Sequence, residues 1–434
     1  MSSLRTLTAA LALAVGLAGP AWAETLAVTN ARIHTMGPAG EIASGTVLIR
    51  DGRIAAVGRD VAVPSGARVV DAAGKVVTPG LVAPNTTLSV SEVNSLHETN
   101  DHDGAVDRLS AAFDVSWGVN PNSTLIPVAR LGGITRAVVT PDIDEEREAR
   151  PKESLFAGQA ATIHLGAGDD LLVATGVGMV AELGEDGAGQ LGGGRGTSFA
   201  ALKAALEEAR HYARNRARYD AGESRPFRQS REDLEALIPV TQGRMPLLVR
   251  VSRAADIRQT LRLAREEGLR IVLLGAEEGW MVARDIAAAK VPVVLNPLAN
   301  LPAHFEMMGA TLENAARLDA AGVVVAIEGS RSGHFARQVR YNAGNAVAHG
   351  MKWDRALAAI TINPARIFGF DAKAGSLEVG KEADLVVWSG DPLEPVSQPE
   401  HVFVRGTEMK MDSRARQLAR RYMNLEQPYP PAYR

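Results

Sequence analysis

The chain has 434 residues, of which 46% are hydrophobic, and this suits one large domain or a large and a small domain. It has no cysteine, which excludes disulfides, thiolate metal sites and a cysteine nucleophile. The formal net charge of -3 provides no overall field for nucleic acid or an anionic membrane, so we expect no nucleic-acid partner.

The first residues have the pattern of a secretory signal peptide. One positive charge at Arg5 precedes the apolar run Leu7–Ala18, and Ala21-Trp22-Ala23 forms a small-residue cleavage site. We predict a signal peptide over residues 1–23, a cut after Ala23, and a periplasmic or secreted protein with no membrane segment in its mature form. The alternative is an N-terminal membrane anchor, for which the apolar run is short.

Residues 24–78 are predicted to form short strands. Leu26–Ile33 alternates roughly between apolar and polar positions, as a strand with one buried face does. Asp51-Gly52, a common hairpin turn pair, lies between the strands Thr46–Arg50 and Arg53–Val57. The segment is therefore predicted to be the first part of a small β-domain.

Residues 79–368 alternate between apolar strands and helical patterns, which predicts a parallel sheet closed into a (β/α)8 TIM-type barrel. The predicted strands include Gly133–Val139, Leu247–Val251, Arg270–Leu274, Val291–Leu295 and Val323–Ile327. The predicted helices include Thr197–Asp220, Asp256–Glu267, Trp280–Ala289 and one around Leu312–Leu318. Residues 369–434 are predicted to return to strands and to end in a basic helix, Ser413–Tyr422, and a tail.

Several runs resemble segments of the amidohydrolase superfamily. The run Val76–Leu88, VVTPGLVAPNTTL, is similar to its PGLIDxHxH segment, and Ala374–Trp388 is similar to GSIxxGKxADLVV. Pro246–Ile257 and Leu155–Ala161 resemble the imidazolonepropionase-like branch. The resemblance implies a barrel beside a small β-sandwich built from N- and C-terminal strands. It also implies hydrolysis of non-peptide, cyclic amide C–N bonds with a divalent metal such as zinc.

The residues that the resemblance implies as metal ligands are replaced in this sequence. Asn85 and Thr87 stand where the first strand has His-x-His, Arg250 and Ser252 stand at a second His-x-His, and Gly275 stands at a further His. An amide and a hydroxyl hold zinc poorly, and a guanidinium group repels it. We therefore expect no metal and no other cofactor.

The ends of the predicted strands supply the candidate site residues. Asn85, Thr87, Arg250, Ser252, Glu278 and Ser332 are predicted to line a pocket at the barrel mouth. The candidates for a catalytic role are Glu277, Glu328 and His334. The alternative for the glutamates is an internal ion pair with Arg250.

Other histidines offer weaker candidates. His97 and His102 lie in an acidic loop that either binds a cation or is simply solvated, and His164 either points into the mouth or has a structural role. The glycine-rich run Gly192–Thr197 lacks the GK[ST] ending of a phosphate loop, so it is interpreted as a linker.

Three hypotheses follow. The first is a degenerate amidohydrolase-like protein that binds a small molecule or a related amidohydrolase subunit without catalysis. The second is an active hydrolase in which a glutamate activates water without metal. The third is a purely structural partner, and we expect an oligomer.

Overall fold

The computed structural model describes residues 25–103, 109–143 and 154–423. The predicted signal peptide, residues 1–23, and the terminal tail lie outside the described residues. Within the described ranges no helix combines the length and the apolar character that a bilayer span requires.

The strands of the described residues form two sheets. In chain order they are β1 (Thr25–His34), β2 (Glu41–Arg50), β3 (Arg53–Gly58), β4 (Arg68–Asp71), β5 (Val76–Pro79), β6 (Leu81–Thr86), β7 (Ile134–Val139), β8 (Phe156–His164), β9 (Leu172–Glu182), β10 (Leu247–Val251), β11 (Ile271–Gly275), β12 (Val293–Leu295), β13 (Val325–Ile327), β14 (Leu385–Trp388), β15 (Pro399–Val404) and β16 (Thr407–Glu408).

Along the chain, most of the α-helices lie between the barrel strands. They are α1 (Leu125–Arg130), α2 (Gly184–Gln190), α3 (Arg195–Arg214), α4 (Arg216–Asp220), α5 (Arg231–Thr241), α6 (Ala254–Glu267), α7 (Ala283–Ala289), α8 (Asn314–Ala320), α9 (Val339–Ala348), α10 (Trp353–Ala359), α11 (Ile362–Ile367) and α12 (Arg414–Tyr422).

The N- and C-terminal strands meet in one mixed sheet with the order β16-β15-β14-β5-β1-β2-β3, and β4 pairs with β1. Antiparallel pairing of β5 with β14 sets Val77 opposite Val387 and joins the two ends of the chain. The turn between β2 and β3 is the predicted one, because Asp51 and Gly52 both have positive φ. Hydrogen bonds link these strands into a single sheet. The predicted β-sandwich of N- and C-terminal strands stays a prediction.

The chain passes from this sheet to the barrel at Gly80. A Cβ atom on Gly80 would lie 2.1 Å from Thr135 Oγ1, so only glycine permits the close approach of β6 and β7 here. The barrel sheet then runs in the order β13-β12-β11-β10-β9-β8-β7-β6. These strands and the helices around them agree with a TIM-type barrel.

One strand departs from the predicted all-parallel barrel. β8 is antiparallel to both β7 and β9, whereas the other neighbouring strands of this sheet pair in parallel. Residues 165–171, which connect β8 to β9, are too few for a crossover helix, and a short connection reverses the chain direction. The parallel prediction is therefore wrong for β8.

Most predicted elements of the second half of the barrel agree with the structure. β10 has the predicted bounds, and α6 begins two residues before the predicted start. The long predicted helix Thr197–Asp220 is interrupted at Asn215 between α3 and α4, and the helix predicted from Trp280 begins as a 3-10 turn. The strand β9 and the helix α5 were not predicted.

Candidate ligand site at the barrel mouth

Arg250 is the centre of a buried ion-pair network at the carboxyl ends of the strands. Parallel pairing of β9 with β10 places Arg250 beside Glu182. The Arg250 Nη1 atom donates to Glu182 Oε1 and, at 2.7 Å, to Asp142 Oδ1. Its Nη2 atom donates to the carbonyl oxygen of Pro141 at 3.1 Å. Both terminal nitrogens of the guanidinium group are therefore engaged within the protein.

Asp142 extends the network toward the solvent. Its Oδ1 atom also accepts a hydrogen bond from Arg331 Nη1 at 2.9 Å. Burial acts to raise the pKa of Asp142, but attraction to Arg250, Arg331 and His102 outweighs it and holds that pKa below the usual value. Burial raises the pKa of Glu182, although Arg250 opposes this shift. The result is an ionic chain that runs Glu182, Arg250, Asp142, Arg331.

Asn85 connects the first barrel strand to Glu328. Its Oδ1 atom accepts from Thr140 Oγ1 at 2.6 Å, which orients the amide so that Nδ2 donates to Glu328 Oε2 at 2.6 Å. The main chain at Glu328 is fixed as well, since Asn342 Nδ2 donates to its carbonyl oxygen at 2.7 Å. Burial raises the pKa of Glu328, against the hydrogen bond from Asn85.

Glu277 follows β11 and has an unsatisfied carboxylate. Its Oε2 atom is buried and has no hydrogen-bond partner among the described residues. Burial raises the pKa of Glu277, and hydrogen bonding from Ser252 only partly opposes that shift. Perturbed carboxyl groups of this kind occur frequently in functional sites.

These side chains surround a central cavity of about 190 Å³, which is many times the ~10–15 Å³ needed for one water and so admits a small organic molecule. The predicted pocket residues that line it are Asn85, Arg250 and Ser252, together with the catalytic candidates Glu277 and Glu328. Asp142, Glu182, Glu306 and Arg331 also contribute to its wall.

Two predicted pocket residues belong to an adjoining cavity instead. Thr87 and Ser332 line a second space of about 420 Å³, which shares Asp142 and Arg331 with the central cavity. Thr87 Oγ1 accepts from the backbone N–H of Gly333 at 3.2 Å. The residues predicted for one pocket therefore line two adjoining cavities, which share the ion pair of Asp142 with Arg331.

Glu278 and His334 do not line the central cavity. Glu278 is turned away, because its carboxylate accepts from the backbone N–H groups of Ala254 at 2.9 Å and Gly309 at 3.0 Å. It thus stabilises the first turn of α6, a common position for an acidic group. His334 is half-buried in the 3-10 turn Gly333–Gln338, outside the lining of this cavity.

His164 lies at the opposite end of the barrel from the mouth. Because β8 runs antiparallel, its last residue is paired with Arg136 near the start of β7. His164 Nδ1 accepts from the backbone N–H of Gly166 at 3.0 Å, and its Nε2 atom is 3.2 Å from Arg405 Nη1. The interpretation in which His164 points into the mouth is therefore wrong, and the structural one agrees with these contacts.

Sequence reasoning missed Glu182, which is the most deeply buried acid of the ionic chain. The strand that carries it was not recognised, because Gly176 and Gly178 interrupt the apolar pattern of β9. The sequence feature that could have indicated this strand was the short apolar run Met179-Val180-Ala181, which ends in an acidic residue. Asp142 was missed for a different reason, since it follows β7 in a loop that has no local motif.

The donor set at the mouth does not fit a divalent metal. In the part of the chain that the structure describes, no three His, Cys, Asp or Glu side chains are grouped so that they could hold an ion. The strand ends instead present an amide at Asn85 and a guanidinium at Arg250, neither of which is a suitable zinc ligand. The loop containing His97 and His102 contributes no such group among the described residues either.

Comparisons with known proteins agree with this architecture. The sequence profile of the Amidohydrolase family matches residues 44–409. The imidazolonepropionase of Symbiobacterium thermophilum is 28% identical over 425 residues, covering 84% of this chain and 88% of that protein. The imidazolonepropionase of Sphingopyxis alaskensis is 26% identical over 419 residues, covering 85% and 93%. A solved amidohydrolase from Thermotoga maritima has a TM-score of 0.78 and 26% identity, covering 89% of this chain and 99% of that one.

Because the family profile spans most of the chain, the protein belongs to the amidohydrolase family. The similarity to imidazolonepropionases over most of both chains confirms the predicted branch.

Proposed function

We propose that this protein binds a small molecule in the barrel mouth and does not use the metal of its family. The observation that carries the proposal is the position of Arg250, whose Nη1 atom contacts Asp142 and Glu182 at the strand ends. A fixed cation there repels a metal ion, and it occupies the carboxylates that would otherwise attract one. In this proposal the scaffold is retained for binding while metal-assisted hydrolysis is lost.

Metal analysis of the purified protein tests the proposal. The protein is incubated with zinc, manganese or iron, freed of unbound metal by gel filtration, and analysed by mass spectrometry of the elements. We expect far less than one metal per chain, whereas a metal-containing amidohydrolase treated in parallel retains its metal. Stoichiometric metal that is lost on Glu182→Gln or Asp142→Asn substitution would contradict the proposal.

A second candidate function is metal-free hydrolysis of a cyclic amide C–N bond, as the family relationship suggests. The raised pKa values of Glu277 and Glu328 favour it, because a buried carboxylate with a raised pKa is a better base toward water. The carboxylate would take a proton from water while the water oxygen bonds to the carbonyl carbon. Cleavage of the C–N bond then returns that proton to the leaving nitrogen.

Turnover of imidazolonepropionate, the compound for which the relatives are named, tests the second candidate. It predicts activity that survives chelators and falls sharply in Glu277→Gln or Glu328→Gln, while the exposed Glu266→Gln control keeps it. Absence of turnover in the parent protein, or full turnover in both variants, would eliminate this candidate for that substrate.

We further propose a periplasmic or secreted location for the mature protein and an oligomeric assembly, with itself or with a related amidohydrolase subunit. Pull-down from a native periplasmic extract, followed by mass measurement of the complex, tests both points. Recovery of a lone monomer counts against the assembly, and sequencing of the mature N-terminus shows whether cleavage occurs after Ala23.

A further inference from the structure

The central cavity has more acidic than basic side chains in its wall. The acidic residues that line it are Asp142, Glu182, Asp186, Glu277, Glu306 and Glu328, and the arginines are Arg250 and Arg331. This imbalance is local, since the whole chain has a net charge of only -3. A cavity of one sign attracts ligands of the other sign.

The two arginines are already bound to two of these acids. Arg250 contacts Asp142 and Glu182, and Arg331 donates to Asp142 at 2.9 Å. Glu306 is bound from outside the cavity by Arg195 at 3.3 Å. These pairs bind both arginines to acids of the wall, although Arg250 Nε has no hydrogen-bond partner among the described residues and the Arg331 side chain is 49% exposed.

Glu277 and Glu328 remain without a cation. Among the described residues neither has a Lys, Arg or His nitrogen within 4.0 Å of its carboxylate. Burial is the main cause that raises the pKa of Glu328; Arg331 and Arg250 act to lower it from a distance, and repulsion by Glu277 acts to raise it, so the two carboxylates are close enough to interact. A buried pair of this kind is relieved when a cation enters between or beside the two groups.

The carboxylate of Glu277 lies beside Gly275. Its Oε2 atom would be 3.0 Å from a Cβ atom on Gly275, so the carboxylate occupies space that a side chain at position 275 would reach. The same oxygen is buried without a hydrogen-bond partner in the described structure. Glu328 is only 8% exposed, and Asn85 satisfies just one of its oxygens at 2.6 Å. The cavity wall therefore contains acceptor atoms that a ligand has to satisfy.

We propose that the cavity binds a small organic cation, an amidinium, guanidinium or protonated amine, whose N–H groups donate to Glu277 and Glu328. A planar amidinium presents parallel N–H donors, which match carboxylate oxygens in charge and geometry. This inference rests on the proposed binding function, because it names the class of ligand for that same site. The presence of Arg250 alone would suggest a site for an anion. The proposal instead assigns the cavity to a cation.

Calorimetric titration with benzamidinium and benzamide tests the inference on the full-length mature protein. The two probes have nearly the same shape and differ in charge, and benzoate serves as the anionic counterpart. We expect benzamidinium to bind about tenfold more tightly than benzamide, because hydrogen bonds between charged partners are stronger than neutral ones. Equal or tighter binding of benzamide or benzoate would overturn the inference without requiring any variant.

Substitutions then locate the binding groups. Glu277→Gln and Glu328→Gln are each expected to reduce the preference for benzamidinium, and the double variant is expected to remove it. Glu266→Gln, on the exposed surface of α6, is the matched control and should keep the preference. A preference that persists in the folded double variant would overturn the assignment to these two carboxylates.

Metal content measured on the same samples separates this inference from the proposed function. A metal-free protein that prefers benzamide contradicts the cation inference alone. A protein with stoichiometric metal that is lost on Glu182→Gln or Asp142→Asn substitution contradicts the proposed function, whichever probe it prefers. A metal-free protein that prefers benzamidinium supports both.

Discussion

Arg250 Nη1 lies 2.7 Å from Asp142 Oδ1, and this bond joins the end of β10 to the loop that follows β7. The Arg250 and Asp142 side chains are 11% and 19% exposed, so the pair is largely removed from water. Burying a charge is tolerated only when it is paired and hydrogen-bonded, and Arg250 satisfies Asp142 and Glu182 together. Arg250 therefore links the loop after β7 to the end of β9 at the barrel mouth.

Substitution of Arg250 by methionine is expected to destabilise the fold by about 3–5 kcal/mol, because it leaves Glu182 buried without a counter-charge. Urea unfolding followed by circular dichroism measures the change. Arg258→Met is the control, since that arginine is 58% exposed and pairs with Asp285 on the surface, where such a pair contributes less than about 1 kcal/mol. Equal effects of the two substitutions would refute the structural role of Arg250.

Substitution of Glu277 by glutamine is expected to stabilise the protein at alkaline pH. Burial raises the pKa of Glu277 above the ordinary value of 4.5, so its favourable contribution is present below that value and is lost as pH rises through the raised pKa. At pH 8 the variant should therefore have a Tm roughly 1–3 °C higher than the parent, and near pH 4 the two should agree. Calorimetry at both pH values tests this, and a variant less stable than the parent at pH 8 would contradict it.

His164 is expected to make the protein sensitive to mild acid. Burial, together with Arg405 and Arg136, lowers the pKa of His164 below 6.5. The stability that its neutral form provides is complete above the ordinary value and is lost as pH falls through the lowered pKa. His164→Gln should therefore show a smaller decrease in Tm between pH 7.5 and pH 5 than the parent. His304→Gln, at an exposed position, should decrease as the parent does.

The buried pair of Arg136 and Asp384 is expected to hold the barrel against the terminal sheet. Arg136 Nε donates to Asp384 Oδ2 at 2.6 Å, and both side chains are at most 3% exposed. Asp384→Asn should destabilise the protein by about 3 kcal/mol at most, because the buried guanidinium then keeps only Glu382 as an ionic partner. Asp285→Asn, at a half-exposed surface pair, is the control in the same unfolding experiment. Indistinguishable unfolding midpoints would show that the Arg136 pair contributes little.

Local patterns were sufficient for much of the fold. The β10 strand and the Asp51-Gly52 turn follow from neighbouring residues alone, because apolar periodicity and turn preference are local properties. The direction of β8 did not follow from them, since it depends on the length of the connection to β9 and on pairing with strands distant in sequence. The orientation of the Glu278 carboxylate did not follow from local patterns either. Its hydrogen-bond donors, the backbone N–H groups of Ala254 and Gly309, lie 24 and 31 positions away in the sequence.

The sequence by itself determined that the strand ends carry Asn85, Thr87 and Arg250 in place of histidines, because residue identity does not depend on folding. Only the tertiary structure decided what surrounds those residues. Glu182 and Asp142 lie 68 and 108 positions from Arg250, and the parallel pairing of β9 with β10 and the loop after β7 bring them to it. Which side chains of the cavity wall remain without an ionic partner depends on these long-range contacts, which no local pattern encodes.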